Sequence, residues 1–243
     1  MRRMPGWMPS LLRQINWGCE NSSIFNSAND TVEHFESGRR VCRQLYHFIK
    51  ALPANISAVR DVLPPQMDAA RLLLTELSDD ERVYQNLFMK QCLLARLNPD
   101  ELALETPSPS TQRLCEVMRE YCQSKNYRDG ILVIVVAELA ATAFCRYARP
   151  LFDKYFSTHS SEFTQEEVDE GLQWLDLHTE PHTKHALWLK TMLEDLGPEK
   201  SDVLPQPVQD MLKVVFDFLE CPPSDPTNQT NNKSSKGLSL AQN

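Results

Sequence analysis

Fourteen consecutive residues, Ile131 to Phe144 (ILVIVVAELAATAF), carry a single charged side chain, Glu138. Such a run has to be taken out of water, and its length decides how. A bilayer crossing needs roughly 20 apolar residues, whereas a strand usually has about five or six. The first half, Ile131-Leu-Val-Ile-Val-Val136, is β-branched and alone would suit a buried strand. The second half, Ala137-Glu-Leu-Ala-Ala-Thr-Ala-Phe144, continues it in helix-favouring residues. The run is therefore expected to be a central helix, with the core built around it.

The periodicity of the remaining chain is helical almost throughout. In 32–52 the apolar positions Val32, Phe35, Val41, Leu45, Phe48, Ile49 and Leu52 recur mostly at three- and four-residue steps, and Pro53 is expected to end or bend that helix. Ala69, Leu72, Leu73 and Leu77 mark a second helix, carried on by Val83, Leu87, Cys92, Leu94 and Leu97 to a stop at Asn98-Pro99. Thr111 to Gln123 reads as a shorter helix. Thr164-Gln-Glu-Glu167 is a capping box opening a helix that runs towards Leu196, interrupted at Pro181. Pro207 to Leu219 reads as the last helix. The expectation is an all-α, single-domain bundle of about seven helices over 31–221, with residues 1–30 a mobile N-terminal extension and 222–243 a disordered tail almost free of apolar side chains.

Thirty-three acidic against 25 basic side chains leave a formal charge of -8. No positive field exists to gather phosphates or anionic lipid, so neither nucleic-acid nor membrane-surface binding is expected. Only 7 glycines are present, and no G-x-G-x-x-G or G-x-x-x-x-G-K-[ST] loop. The 7 cysteines form no C-x-x-C pair, and Pro5, Pro9, Arg13 and Gln14 break the apolar positions of the N-terminal stretch. Reduced thiols in a cytoplasmic setting are expected.

Three of the 6 histidines, His178, His182 and His185, stand at i, i+4, i+7, on one face of a helix. Seven residues rise about 10.5 Å, too far for one ion to be held comfortably by all three. The spacing instead suits two metal ions about 3.5 to 4 Å apart. Imidazoles on an ordinary amphipathic helix give the same pattern.

Phe48-Ile-Lys-Ala-Leu-Pro53, Leu72-Leu-Leu-Thr-Glu-Leu-Ser-Asp-Asp-Glu81, Leu94-Ala-Arg-Leu-Asn-Pro-Asp-Glu-Leu102 and the histidine row together resemble the haem-oxygenase-like non-haem di-metal oxidases. That group includes the Chlamydia protein associating with death domains, with thiaminase II and pyrroloquinoline-quinone synthase as relatives. The resemblance covers roughly Val41 to Leu196. It implies a metal site in which the first carboxylate falls at Asp80, with Asp79 and Glu81 alongside. The family's histidine two turns on falls at Asn86 or Leu87. Pro150 fits a proline four residues after the second carboxylate, which places that ligand at Arg146. Glu138 lies two turns earlier and about 80° round the helix, so it is not expected to substitute. His178 and His185 match the terminal ligands of the family's His-x-x-x-Asp-x-x-His, and His182 replaces the central Asp.

A carboxylate bridges two metals and cancels charge, whereas a neutral imidazole serves one metal. The resemblance therefore implies at most one Fe or Mn per chain, held by His182 with His178 or His185 and by Asp80 or Glu81, and no haem. The function implied is that of a small-molecule oxidase or oxygenase acting on an amino-acid-like or fatty-acid-like substrate. A metal-free enzyme of the quinone-synthase or thiaminase kind, with Arg146 stabilising an oxyanion, and a non-enzymatic binding module are the alternatives. Tyr46, Tyr84 and Tyr147 are candidate redox or acid-base residues of the cavity, core packing being the simpler role, and Cys145 falls on the helix where thiaminase II keeps its nucleophile. Trp7 and Trp17 supply apolar surface near the N-terminus, so a homodimer is expected. Sedimentation velocity at micromolar concentrations should show a species of twice the chain mass; a monomer throughout would exclude it.

Overall fold

The apolar run forms the middle of α7 (Tyr127–Thr158), which opens at Asn126, whose side chain accepts from the Arg128 N–H. The computed structural model describes residues 4–26, 31–159, 161–179, 188, 190–193 and 201–220, and among these there is no strand. Gly130 to Glu138 is buried without interruption, so α7 has no solvent face along that stretch. Burial on all sides outweighs the helix penalty of its β-branched residues, roughly a few tenths of a kcal/mol each. By length and composition α7 could cross a membrane, but 72% of its most apolar window is buried within the fold, which leaves little of that surface for lipid.

Among the described residues five helices pack on α7: α1 (Met8–Asn21), α3 (Thr31–Asp61), α6 (Pro109–Cys122), α8 (Gln165–Thr179) and α9 (Gln206–Glu220). α4 (Asp68–Leu94) packs on α3 and α8 and closes a four-membered ring, α3–α4–α8–α7. α2 (Ser23–Asn26) and α5 (Pro99–Leu104) are short connectors. The close α4–α8 approach depends on Gly171, where a Cβ would lie 2.5 Å from Leu94 Cδ2. The capping box opens α8 as read, with the Thr164 N–H donating to Glu167 Oε2 and the Glu167 N–H to Thr164 Oγ1.

Several sequence expectations are corrected. The stretch 8–21, taken as part of a mobile extension, is α1, and it buries Leu11, Ile15 and Cys19. Trp7 is 1% exposed and joins the core, so only Trp17, 63% exposed, supplies the surface assigned to both. α4 stops at Leu94 rather than Asn98. Arg96 turns left-handed with φ 57°, and the Leu97 N–H then reaches the Cys92 carbonyl, a helix-ending bond pair normally built on Gly.

Pro53 does not end α3, which continues to Asp61. Proline removes the N–H that would meet the Ile49 carbonyl. Gln85 of α4 supplies the missing donor: its Nε2 donates to Ile49 O at 2.9 Å and to Lys50 O at 3.3 Å. Ser78, also on α4, donates to Pro53 O. Gln85→Met should therefore destabilise the chain by about 1 kcal/mol. In a Pro53→Ala background the backbone donor returns, and the cost of losing Gln85 should fall to a few tenths of a kcal/mol at most. Urea denaturation of the four members of this cycle measures the coupling; additivity would exclude the staple.

Candidate functional site

Three of the four ring helices each bury one polar side chain against a common cavity: Glu81 of α4, 3% exposed, Glu138 of α7, 5%, and His178 of α8, 7%. The cavity volume is about 80 Å³, several times what one water needs. The other residues lining it are apolar, among them Phe48 of α3, Phe144 of α7, Trp174 of α8 and Met211 of α9, and no Lys or Arg lines it among the described residues.

The local sequence explains each placement. On α4 the buried stripe runs Leu74, Leu77, Ser78, Glu81, Phe88, so Glu81 continues an apolar face by helical spacing. Glu138 sits in a helix without an exposed side at that level. His178 follows Trp174 by one turn and its Nδ1 lies 2.7 Å from the Trp174 carbonyl oxygen. That contact makes Nδ1 the donor and leaves the ring's lone pair on Nε2. The imidazole is further held by the Trp174 ring, with centroids 4.5 Å apart, and by the edge of Tyr84 at 5.8 Å.

Burial, with the neighbouring Glu138 and Asp80 charges, pushes the Glu81 carboxyl well above the usual carboxylate range. The Tyr84 hydroxyl is pushed up to about 12, by burial first and then by Asp80, Glu81 and Glu138. Both shifts express the same fact: negative charge is confined here in a poorly solvated space.

The other sequence candidates are distributed differently. Asp80 is half-buried, one position off the inward stripe, and Asp79 is exposed and paired with Arg82. Arg146 is exposed and does not line the cavity, against the expectation; the acid of α7 that lines it is Glu138. Asn86 is exposed and Leu87 half-buried; counted from Glu81, two turns on is Phe88, whose ring meets that of Trp174 at 5.2 Å. Tyr147 packs on Phe25 with centroids 5.7 Å apart, and Tyr46 takes a contact from Lys50 Nζ; neither lines the cavity. Cys145 is fully buried and its thiol is pushed up, first by burial, so a thiolate there is disfavoured. His182 and His185 lie outside the described residues. Among the described residues no group of three or more His, Cys, Asp or Glu is assembled to hold a metal ion. The residue that sequence reasoning set aside is Glu138, although a lone acid inside a fourteen-residue apolar run is a signal in itself.

This arrangement was compared with known proteins. A TenA homologue from Pseudomonas syringae pv. tomato superposes with a TM-score of 0.69 at 13% identity, covering 89% of this chain and 92% of that one. A domain with a haem-oxygenase-like fold from Shewanella denitrificans superposes with a TM-score of 0.66 at 14% identity, covering 97% of both chains. The fold is haem-oxygenase-like. No family model matches the sequence. A 4-aminobenzoate synthase of Chlamydia trachomatis serovar D is 22% identical over 181 residues, 73% of this chain and 74% of that protein. The same-named protein of Chlamydia muridarum is 21% identical over 181 residues, 73% of each. The haem-oxygenase-like bundle thus accounts for the convergence of α4, α7 and α8 on one cavity, since polar sites in helical bundles are built from facing helices.

A carboxyl whose pKa is raised by folding binds a proton more tightly in the folded than in the unfolded chain. Its contribution is intact below the ordinary carboxylate range and is lost as the pH rises through that range towards the raised value. With any metal removed by chelator, Glu81→Gln should therefore raise the Tm at pH 7 relative to wild type. The gain should shrink towards pH 4. Thermal melts of both proteins across that range test it, and a Gln variant less stable at pH 7 than at pH 4, relative to wild type, would reverse the sign.

Proposed function

We propose that this haem-oxygenase-like chain is a small-molecule oxidase whose chemistry takes place in the α4–α7–α8 cavity, with one divalent non-haem ion, iron or manganese, per chain. The observation that carries the reading is the burial of Glu81 and Glu138 together, beside His178, in an apolar cavity that no described Lys or Arg lines. Two carboxylates in such surroundings are costly unless a proton or a cation is shared between them.

Glu81, Glu138 and His178 are not assembled as a closed metal site by themselves, but their chemistry suits one ion. Two carboxylates balance one dication, and an imidazole whose Nδ1 is held by a backbone carbonyl is the usual arrangement behind a metal-bound Nε2. Glu81, Glu138 and His178 would hold the ion, with His182 or His185 completing the set. A second ion would need the ligand that Phe88 does not provide and the charge that His182 does not bring. When bound, such an ion supplies redox chemistry with dioxygen. The chain's own residues do the rest. Phe48, Phe144 and Met211 hold an apolar substrate body and exclude water. Tyr84 and Trp174 fix the His178 ring. The likeness to proteins named 4-aminobenzoate synthase over 73% of the chain supports an enzyme acting on a small molecule. The substrate is an amino-acid-like or fatty-acid-like molecule, and the apolar lining favours an apolar body.

A second reading, a metal-free acid-base enzyme, is favoured by one observation, the raised Glu81 carboxyl. In it Glu81 and Glu138 share one proton as acid and base. Arg146, exposed, has no part in either reading.

Elemental analysis after anaerobic Fe(II) loading, with Mn(II) titration followed by EPR, separates the two. About one ion per chain is expected in the wild type. Glu138→Gln and His178→Ala should each weaken binding by at least about tenfold, and Arg146→Ala should leave it unchanged. Two tightly held ions would refute the single-ion set. No bound ion, with stability unchanged on adding metal, would overturn the metal reading and leave the metal-free enzyme and the non-enzymatic binding module.

A further inference from the structure

Trp174 stands beside the acidic pair, and its own polar atom is unaccounted for. The side chain is 3% exposed and lines the cavity, and its Nε1 finds no hydrogen-bond acceptor among the described residues. The ring is fixed on two sides, by Phe88 at 5.2 Å and 71° and by His178 at 4.5 Å, so it does not rotate freely to seek one. Buried polar groups without partners are rare, because each forfeits its full desolvation free energy. The indole N–H is a donor only, so whatever satisfies it brings an acceptor.

The cavity narrows the choice of acceptor. Apart from Trp174 itself, the wall around Glu81, Glu138 and His178 is apolar. Waters that bridge the indole N–H to the acidic pair satisfy it only until a bound molecule displaces them, and that molecule then has to bring the acceptor. An anionic acceptor would face two carboxylates with no Lys or Arg lining the cavity among the described residues. An ammonium accepts nothing. A neutral oxygen on an apolar body remains.

We propose that the Trp174 N–H is the donor that orients a neutral acceptor oxygen, a carbonyl or a phenol, on the apolar small molecule bound in this cavity. The proposal rests on the reading of the cavity as the substrate site, but not on the presence of a metal. It narrows the substrate class: an apolar or aromatic body with an uncharged oxygen close to the acidic pair.

The test uses the full chain and two probes of nearly the same shape, acetophenone and α-methylstyrene, which differ in C=O against C=CH2. Dissociation constants are measured by calorimetry for the wild type and for Trp174→Phe. Site-specific replacement of Trp174 by β-(3-benzothienyl)alanine serves as a second variant, since it keeps the ring size and removes only the donor. The preference for acetophenone over α-methylstyrene should fall by about three- to tenfold in both variants, the worth of one neutral hydrogen bond. The infrared carbonyl stretch of bound acetophenone should lie at lower frequency in the wild type than in either variant, with and without chelator. A ratio and a stretch that do not move, with both probes still bound, overturn the role of Trp174 and leave the cavity reading standing. Absence of binding of either probe to the wild type overturns both. Failure to bind Fe(II) or Mn(II) overturns only the metal reading and leaves this measurement unaffected.

Discussion

The structure depends on hiding one stretch of α7 from water on every side. From Gly130 to Glu138 no face of that helix is exposed, and among the described residues five other helices pack on it. Because the cover is complete, the single acid in the run has nowhere to go but inward. The apolar core therefore contains a carboxylate as a direct consequence of its own most apolar segment, and the helices around it must answer that charge.

The answer comes from the ring α3–α4–α8–α7. α4 brings Glu81 on the same stripe as Leu77 and Phe88, and α8 brings His178 one turn after Trp174. α8 is drawn in by the packing that buries α7, α4 packs on α3 and α8, and Gly171 lets α4 and α8 approach each other closely. The result is a cavity whose polar content among the described residues is two acids, one imidazole and the Trp174 N–H, within a wall of apolar side chains. In such surroundings electrostatic interactions are strong and poorly screened. Charge balance, more than ligand count, then decides what the site holds.

Pro53 and Arg96 show tertiary contacts overruling local rules. A proline inside a helix costs its hydrogen bond, yet α3 continues because Gln85 of the neighbouring helix donates to the orphaned Ile49 carbonyl. A left-handed Arg ends α4 where Gly is usual, with its guanidinium held over the Phe163 ring at 4.6 Å and donating to the Glu162 carbonyl. Neither compensation is visible in the segments that need it, because the partners lie 36 and 66 residues away.

The chain's periodicity, capping box and apolar run determined on their own that it is all-helical and which segment is central, since those depend on contacts within one helix. They also marked the region of Asp79-Asp80-Glu81 and the histidine row as chemically rich. Which acids meet was decided only in three dimensions. Helical spacing fixes the angle between Glu138 and Arg146 on α7, but not how α7 is turned relative to α4 and α8. Packing sets that rotation, and it turned Glu138 inward and Arg146 outward. In the same way it left α1, with its short apolar stripe, docked on α7 rather than free. Rotation about a helix axis is settled by the side chains of neighbouring helices, and those neighbours are brought together only by the fold.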